Sequence, residues 1–301
     1  MIELTFKDKK QTVNEAYIVN NGLNKWKNWN CFLGTYYLRV DNNGGISWGN
    51  CPQAIYLGSF LHSSFAIEKI IDPIICKQSE CSCFAGLSFR KFTNDTDQYL
   101  TEVKPLNLQE DLNIFWMLDS KCNFNCWYCM DHLHSKEFFK TIDQVNTIRS
   151  NILKVTKKYK TLVNIGGGEP TLFNDLPKWC AEFKQNQNRV LVTTNGSRSL
   201  KYLTELSKYA EIIFSVHMHQ PKLINLINKI NQLSYLNRLP FQVQIPCAST
   251  ELKNLKKVLQ TVERGRYSVQ IQKLHFKDGI TMPYTQEQDE LINKINKTFT
   301  F

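Results

Sequence analysis

Three cysteines stand close together in Cys122-Asn123-Phe124-Asn125-Cys126-Trp127-Tyr128-Cys129. Their C-x3-C-x2-C spacing suits thiolates that each hold one iron of a cubane iron–sulfur cluster, whose full protein set is four cysteines. An iron left without a protein ligand can bind and activate a substrate. Zinc is the alternative: a structural zinc takes four Cys or His ligands, and His132 and His134 follow closely enough to offer one. A second stretch, Gly166-Gly167-Gly168-Glu169-Pro170, brings glycines that let backbone amides and carbonyls approach a ligand.

Both stretches need elements to hold them. The short apolar, aromatic run Asn113–Leu118 leads into the cysteines and reads as a buried strand. Thr161–Ile165 reads as the next parallel strand and runs into the glycines. Further strands are expected at 190–194, 212–217, 241–245 and 267–272. Helices are expected near 139–158, 175–186, 199–208, 221–235, 251–262 and 286–296. Alternating strands and helices predict an α/β fold of parallel βα units from 112 onward. In βα barrels, active sites gather at the C-terminal ends of strands, where the cysteines and Gly167-Gly168-Glu169 fall.

A C-x3-C-x2-C loop after one strand, with Gly-Gly-Glu-Pro after the next, resembles the radical S-adenosylmethionine (SAM) superfamily over roughly residues 111–275. The resemblance implies a partial (β/α)6 TIM-like barrel over 111–301. It implies a [4Fe-4S] cluster on Cys122, Cys126 and Cys129, its open iron chelated by SAM. It further implies that backbone around Tyr128 contacts adenine, that Gly167, Gly168 and Glu169 align the SAM amino group, and that Asn195 and Ser215 touch the ribose or methionyl part. The implied enzyme takes an electron from a reductant such as flavodoxin or ferredoxin and cleaves SAM. The resulting 5'-deoxyadenosyl radical abstracts a hydrogen from the substrate.

Residues 1–110 form the expected first domain, with residues 1–30 a polar entry segment and 84–111 a linker. Five cysteines lie between: Cys31, Cys51, Cys76, Cys81 and Cys83. Tyr36–Trp48 is a hairpin signature, β-formers around an Asp/Asn/Gly turn, and would bring Cys31 and Cys51 together. The order Cys31-x2-Gly34, a turn at Gly44-Gly45, Cys51 and a closing cysteine cluster is similar to the SPASM and twitch modules. Those modules usually follow the radical SAM domain; here the match precedes it, and its spacings depart from the usual ones. The similarity implies one auxiliary [4Fe-4S] cluster in a small cysteine-rich segment, with one thiol to spare; Cys81 and Cys83 are too close to rank. A structural zinc is the alternative.

The net charge is +10, yet residues 1–110 hold 11 Lys+Arg and 11 Asp+Glu, so the whole excess lies in 111–301. An anionic substrate, a nucleic acid or an acidic partner would fit, although dispersed lysines more often decorate outer helix faces. The SPASM-like similarity leans toward a peptide or protein side chain as substrate, the basic excess toward a nucleotide or sugar phosphate. No RNA-binding motif is present, so nucleic acid ranks last, and a non-catalytic iron–sulfur partner protein is the rival class. Ser215, His217 and His219 alternate, so a strand would turn them to one face, where the histidines could bind an anion or move a proton as readily as serve structure. Cys180 and Cys247 read as buried thiols. No apolar run has the length of a membrane span, the first residues do not form a secretory signal, and ten cysteines read as metal ligands in a reducing cytoplasm.

Overall fold

The structure is a computed structural model that describes residues 2–7, 9–13, 17–18, 21–62, 67–81, 89–95, 97–105, 110–129, 135–138, 140–220, 222–236, 241–262, 266–274 and 282–298. Cys83, His132 and His134 lie outside these residues. The chain packs as two units that interleave in sequence: Met1–Trp116 with Ile142–Leu162, and Met117–Thr141 with Val163–Phe301.

The first unit contains β1 (Ile2–Phe6), β2 (Lys10–Val13), β3 (Asn30–Cys31), β4 (Tyr37–Val40), β5 (Gly45–Trp48), β6 (Ile55–Ser59), β7 (Ile74–Ile75), β8 (Lys91–Phe92), β9 (Leu100–Pro105) and the start of β10 (Leu112–Asp119). One sheet has the order β2-β1-β9-β8-β3-β7. The expected hairpin is present: β4 and β5 pair antiparallel, Leu38 opposite Trp48, and β6 continues the meander. Asp41 shapes its turn by accepting bonds from the amides of Asn43 and Gly45 at 2.8 Å each. β10 lies parallel to β4, Asn113 opposite Tyr37.

Two segments differ from the sequence expectation. The polar entry segment supplies β1 and β2, and the linker supplies β8 and β9, all in that sheet. Ile2, Leu4 and Phe6 alternate onto one buried face and join Trp26, Trp29 and Val103 in a core. Each large apolar side chain so buried is worth about 1.5–3 kcal/mol. This unit therefore has an apolar core of its own. Helix α1 (Ile142–Lys158) also belongs to it, burying Val145, Ile148, Ile152 and Val155 at helical spacing. Asp143 in its first turn and Lys157 and Lys158 in its last complement the helix dipole.

The second unit carries the ends of β10 and β11 (Thr161–Gly167). They are followed by α2 (Leu176–Gln185), β12 (Arg189–Thr194), α3 (Leu200–Ser207), β13 (Glu211–Ser215), α4 (Leu223–Leu236), β14 (Gln242–Cys247), α5 (Leu252–Thr261), β15 (Ser268–Lys273) and α6 (Gln286–Thr298). The strand order is β15-β14-β13-β12-β11-β10, the chain order reversed, and β12 through β15 pair parallel. Each crossover is a helix, as parallel pairing demands. Val163, Ile165, Val192, Phe214, Val243 and Ile245 are fully buried between these layers. No helix among the described residues is long and apolar enough to cross a membrane.

Candidate functional site

β10 ends at Asp119, and the three cysteines follow within ten residues. The departing chain is pinned on both sides. Asp119 Oδ1 accepts from the Lys121 amide at 2.9 Å, and its Oδ2 accepts from the Lys140 amide at 3.1 Å. Ser135 donates its amide to Ser120 at 2.7 Å and accepts the Cys122 amide at 2.9 Å, so the loop returns to its own root. The Cys129 amide closes a turn on the Cys126 carbonyl at 3.0 Å.

The end of β11 lies flat against this root. Gly167 has φ +118°, in the region that favours glycine, and a Cβ there would meet the Asp119 carbonyl at 2.4 Å. A Cβ on Gly168 would meet the Lys121 carbonyl at 2.3 Å. The Gly168 and Glu169 amides donate to Asp119 and Lys121 carbonyls at 2.7 Å each. The two sequence stretches are thus joined backbone to backbone, and only residues without a Cβ allow it.

Glu169 is 2% exposed, and its carboxylate is fully engaged. Oε1 accepts from the Thr171 amide at 2.9 Å, the Thr171 hydroxyl at 2.5 Å and the Thr194 hydroxyl at 2.7 Å. Oε2 accepts from the Asn195 amide at 2.6 Å. Burial pushes this carboxyl above the usual range, and these four donors pull it back. Glu169 thereby ties the end of β11 to the end of β12. Thr171 and Thr194 are partners of Glu169 that sequence reading missed; Thr194 carried a signal, as the last residue of the third predicted strand.

Asn195 sits over the cysteine loop. Its side-chain Nδ2 donates to Asn123 Oδ1 at 2.9 Å and points at Cys122 Sγ, 4.0 Å away. The Phe124 amide donates to the same sulfur at 3.4 Å. Lys229 on α4 donates to the carbonyls of Gly196 and Arg198 at 2.7 Å each, holding the loop that carries Asn195.

The strand that was to turn Ser215, His217 and His219 to one face ends at Ser215, which pairs with Gln244. His217 and His219 lie beyond it, so strand alternation does not place them. They meet instead around Tyr128: the Tyr128 hydroxyl hydrogen-bonds His217 Nδ1, and the Tyr128 ring lies 5.8 Å from the His217 ring and 5.7 Å from the His219 ring. Burial, then the neighbouring His219 charge, lowers the His217 pKa to about 4, so this imidazole is neutral at pH 7.

The three thiols fit a cluster's donor set. All are half-buried, and Cys126 is electrostatically coupled to both Cys122 and Cys129. Burial first, then those neighbours, push the Cys126 thiol up to about 11, and burial raises Cys122, so metal must displace protons here. Two N–H groups aimed at Cys122 Sγ are the partners that sulfurs of an iron–sulfur site use. Among the described residues no three His, Cys, Asp or Glu groups stand in position to hold one metal ion. Thiolates of a cubane each bind a different iron and so stand further apart than ligands of one ion.

In the first unit, Cys31, Cys51, Cys76 and Cys81 line one cavity of about 160 Å³. None of the nine described cysteines forms a disulfide. Cys180 and Cys247 are fully buried, and burial holds Cys247 at about 12; neither joins the site.

Residues 119–235 match the family model described as Radical SAM superfamily. A "S-adenosylmethionine-dependent nucleotide dehydratase" of Thermoplasmatales archaeon (strain ISO4-H5) is 33% identical over 78 residues, 26% of this chain and 26% of that protein. A "Probable GTP 3',8-cyclase" of Methanococcus aeolicus is 30% identical over 109 residues, 35% of this chain and 36% of that protein. The chain therefore spans only about a quarter to a third of these relatives' length. The crystal structure of Streptococcus suis SuiB superposes with a TM-score of 0.42 at 16% identity, covering 62% of this chain and 45% of that one.

Proposed function

We propose, from the premise that residues 119–235 belong to the radical SAM superfamily, that this protein is a radical SAM enzyme. The observation that carries it is the backbone junction of Gly167-Gly168-Glu169 with the root of the Cys122–Cys129 loop. Cys122, Cys126 and Cys129 would hold a [4Fe-4S] cluster, leaving one iron for SAM. Bound there, such a cluster would supply the electron for reductive cleavage of SAM to methionine and a 5'-deoxyadenosyl radical. Gly167 and Gly168 keep backbone close to the SAM site, and Glu169 fixes the strand ends around it. Asn195 would stand over Cys122, Ser215 would lie at the end of the neighbouring strand β13, and Tyr128, packed with His217 and His219, would sit within the cysteine loop.

The proposal includes a partial (β/α)6 barrel over 111–301 and an auxiliary cluster within 1–110, supported by the cavity of four cysteines. A flavodoxin or ferredoxin would deliver the electron. For the substrate, a peptide or protein side chain rests on the SPASM-like spacing. The relatives' names favour a second reading, an anionic nucleotide, which the basic excess of residues 111–301 also suits.

The test is turnover. Anaerobically reconstituted, reduced protein should release 5'-deoxyadenosine from SAM. A candidate substrate of either class should accelerate that release and lose a hydrogen to it. Reconstituted protein that holds its cluster and never cleaves SAM would leave the non-catalytic partner as the better reading.

A further inference from the structure

The cavity of the first unit contains one charge that the cysteine pattern does not announce. Lys91 lines it beside Cys31, Cys51, Cys76 and Cys81, and is 1% exposed. Register puts it there. β8 pairs antiparallel with β3, and Lys91 stands directly opposite Cys31. Directly opposed residues share a face with their Cβ atoms about 5 Å apart.

The ammonium is held in place. Lys91 Nζ donates to the Phe89 carbonyl at 3.1 Å and lies 4.4 Å from the centre of the Trp26 ring. Lysine is almost never fully buried without something to compensate its charge.

The thiols are held too. The Cys76 amide donates to the Trp29 carbonyl at 2.8 Å, and the Asn28 amide to the Cys76 carbonyl at 2.7 Å. Buried Asn24 grips Cys81 twice: its carbonyl accepts the Cys81 amide at 2.9 Å, and its side-chain amide donates to the Cys81 carbonyl at 3.1 Å. These bonds fix Cys81 at the cavity wall.

We infer that Cys31, Cys51, Cys76 and Cys81 are the four ligands of a cluster site in which Lys91 is a positioning and tuning charge, with Cys83 the spare thiol. This deepens the auxiliary-cluster reading above and rests on it. A cubane on four thiolates is an anion, and reduction adds a further negative charge. A cation buried beside it favours both thiolate formation and the reduced state, and so raises the reduction potential. A structural zinc would have no such use for a potential-setting lysine.

The experiment uses full-length protein carrying Cys122→Ala, Cys126→Ala and Cys129→Ala, reconstituted anaerobically, so that any iron belongs to the first unit. Iron, sulfide and zinc are counted, and the midpoint potential is measured by titration followed in the visible and by electron paramagnetic resonance. The expected result is about four irons per chain, as a cubane requires. They should be lost on adding Cys31→Ser or Cys81→Ser and kept on adding Cys83→Ser. Lys91→Gln should keep the iron and move the potential to a more negative value, while Lys91→Arg should hold it near the parent. Absence of iron in the parent, or zinc in its place, overturns the auxiliary-cluster reading itself. Iron present with an unmoved potential in Lys91→Gln overturns only the role of Lys91. Loss of iron in Cys83→Ser, with retention in Cys81→Ser, overturns the ligand set. If Lys91→Gln does not fold, Lys91→Met serves as the neutral variant, and iron present with an unmoved potential in it likewise overturns the role of Lys91.

Discussion

Gly168 lies so close to Lys121 that a Cβ on the glycine would come within 2.3 Å of the lysine's carbonyl oxygen, with the Ser120 carbonyl at 2.6 Å. The neighbours are backbone, not a flexible side-chain end, so they cannot turn aside. Gly168→Ala should therefore push the root of the cysteine loop away from β11. Overpacking of this kind costs about 1–3 kcal/mol. Denaturant unfolding should show that loss, and SAM affinity should fall by about tenfold, the factor that 1.4 kcal/mol represents. Unchanged affinity would mean that the junction does not shape the SAM site.

Glu169→Ala removes the acceptor for four donors from Thr171, Thr194 and Asn195. Leaving buried donors unsatisfied costs about 1–3 kcal/mol each where they cannot relax, so Thr194 and Asn195 should shift. The expected outcome is weaker SAM binding with the iron content unchanged, because Glu169 is no iron ligand in the proposal. Glu169→Gln should recover part of the affinity, since its carbonyl can still accept. Loss of iron in Glu169→Ala would instead assign Glu169 to holding Asn195 over Cys122.

Replacing Cys122, Cys126 and Cys129 with Ala should remove the iron of one cubane, about four per chain, and take SAM cleavage to background. The readout is iron per chain and 5'-deoxyadenosine released. Residual 5'-deoxyadenosine in the triple variant contradicts the proposed function.

The buried His217 links protonation to stability in the metal-free protein. Its pKa is lowered from 6.5 to about 4, so between those values the unfolded chain binds more protons than the folded one. Stability from this group is full above pH 6.5 and is lost as pH falls to about 4. The shift bounds the effect at about 3 kcal/mol, using 1.36 kcal/mol per pKa unit. Unfolding of His217→Phe should depend less on pH across that window than unfolding of the parent. Parallel curves would show that His217 titrates normally.

Local placement of neighbouring residues was legible in the sequence. The spacing of Cys122, Cys126 and Cys129, the glycines at 167 and 168, and the Tyr36–Trp48 hairpin are local patterns, and local patterns survive in a linear reading. The six βα repeats were legible because long amphipathic helices and short apolar strands alternate without interruption. β8 was not: a two-residue strand has no period to detect, and its pairing with β3 is set by register with residues sixty positions away. The same pairing alone makes Lys91 a neighbour of Cys31. Tertiary structure likewise decided that Glu169 is gripped by Thr194 and Asn195 from the next strand, and that His217 meets Tyr128 beyond the end of β13. The physical reason is one and the same: a residue type states what a side chain can donate, accept or ligate, while its partner is chosen by strand order and register, which depend on the whole packed chain.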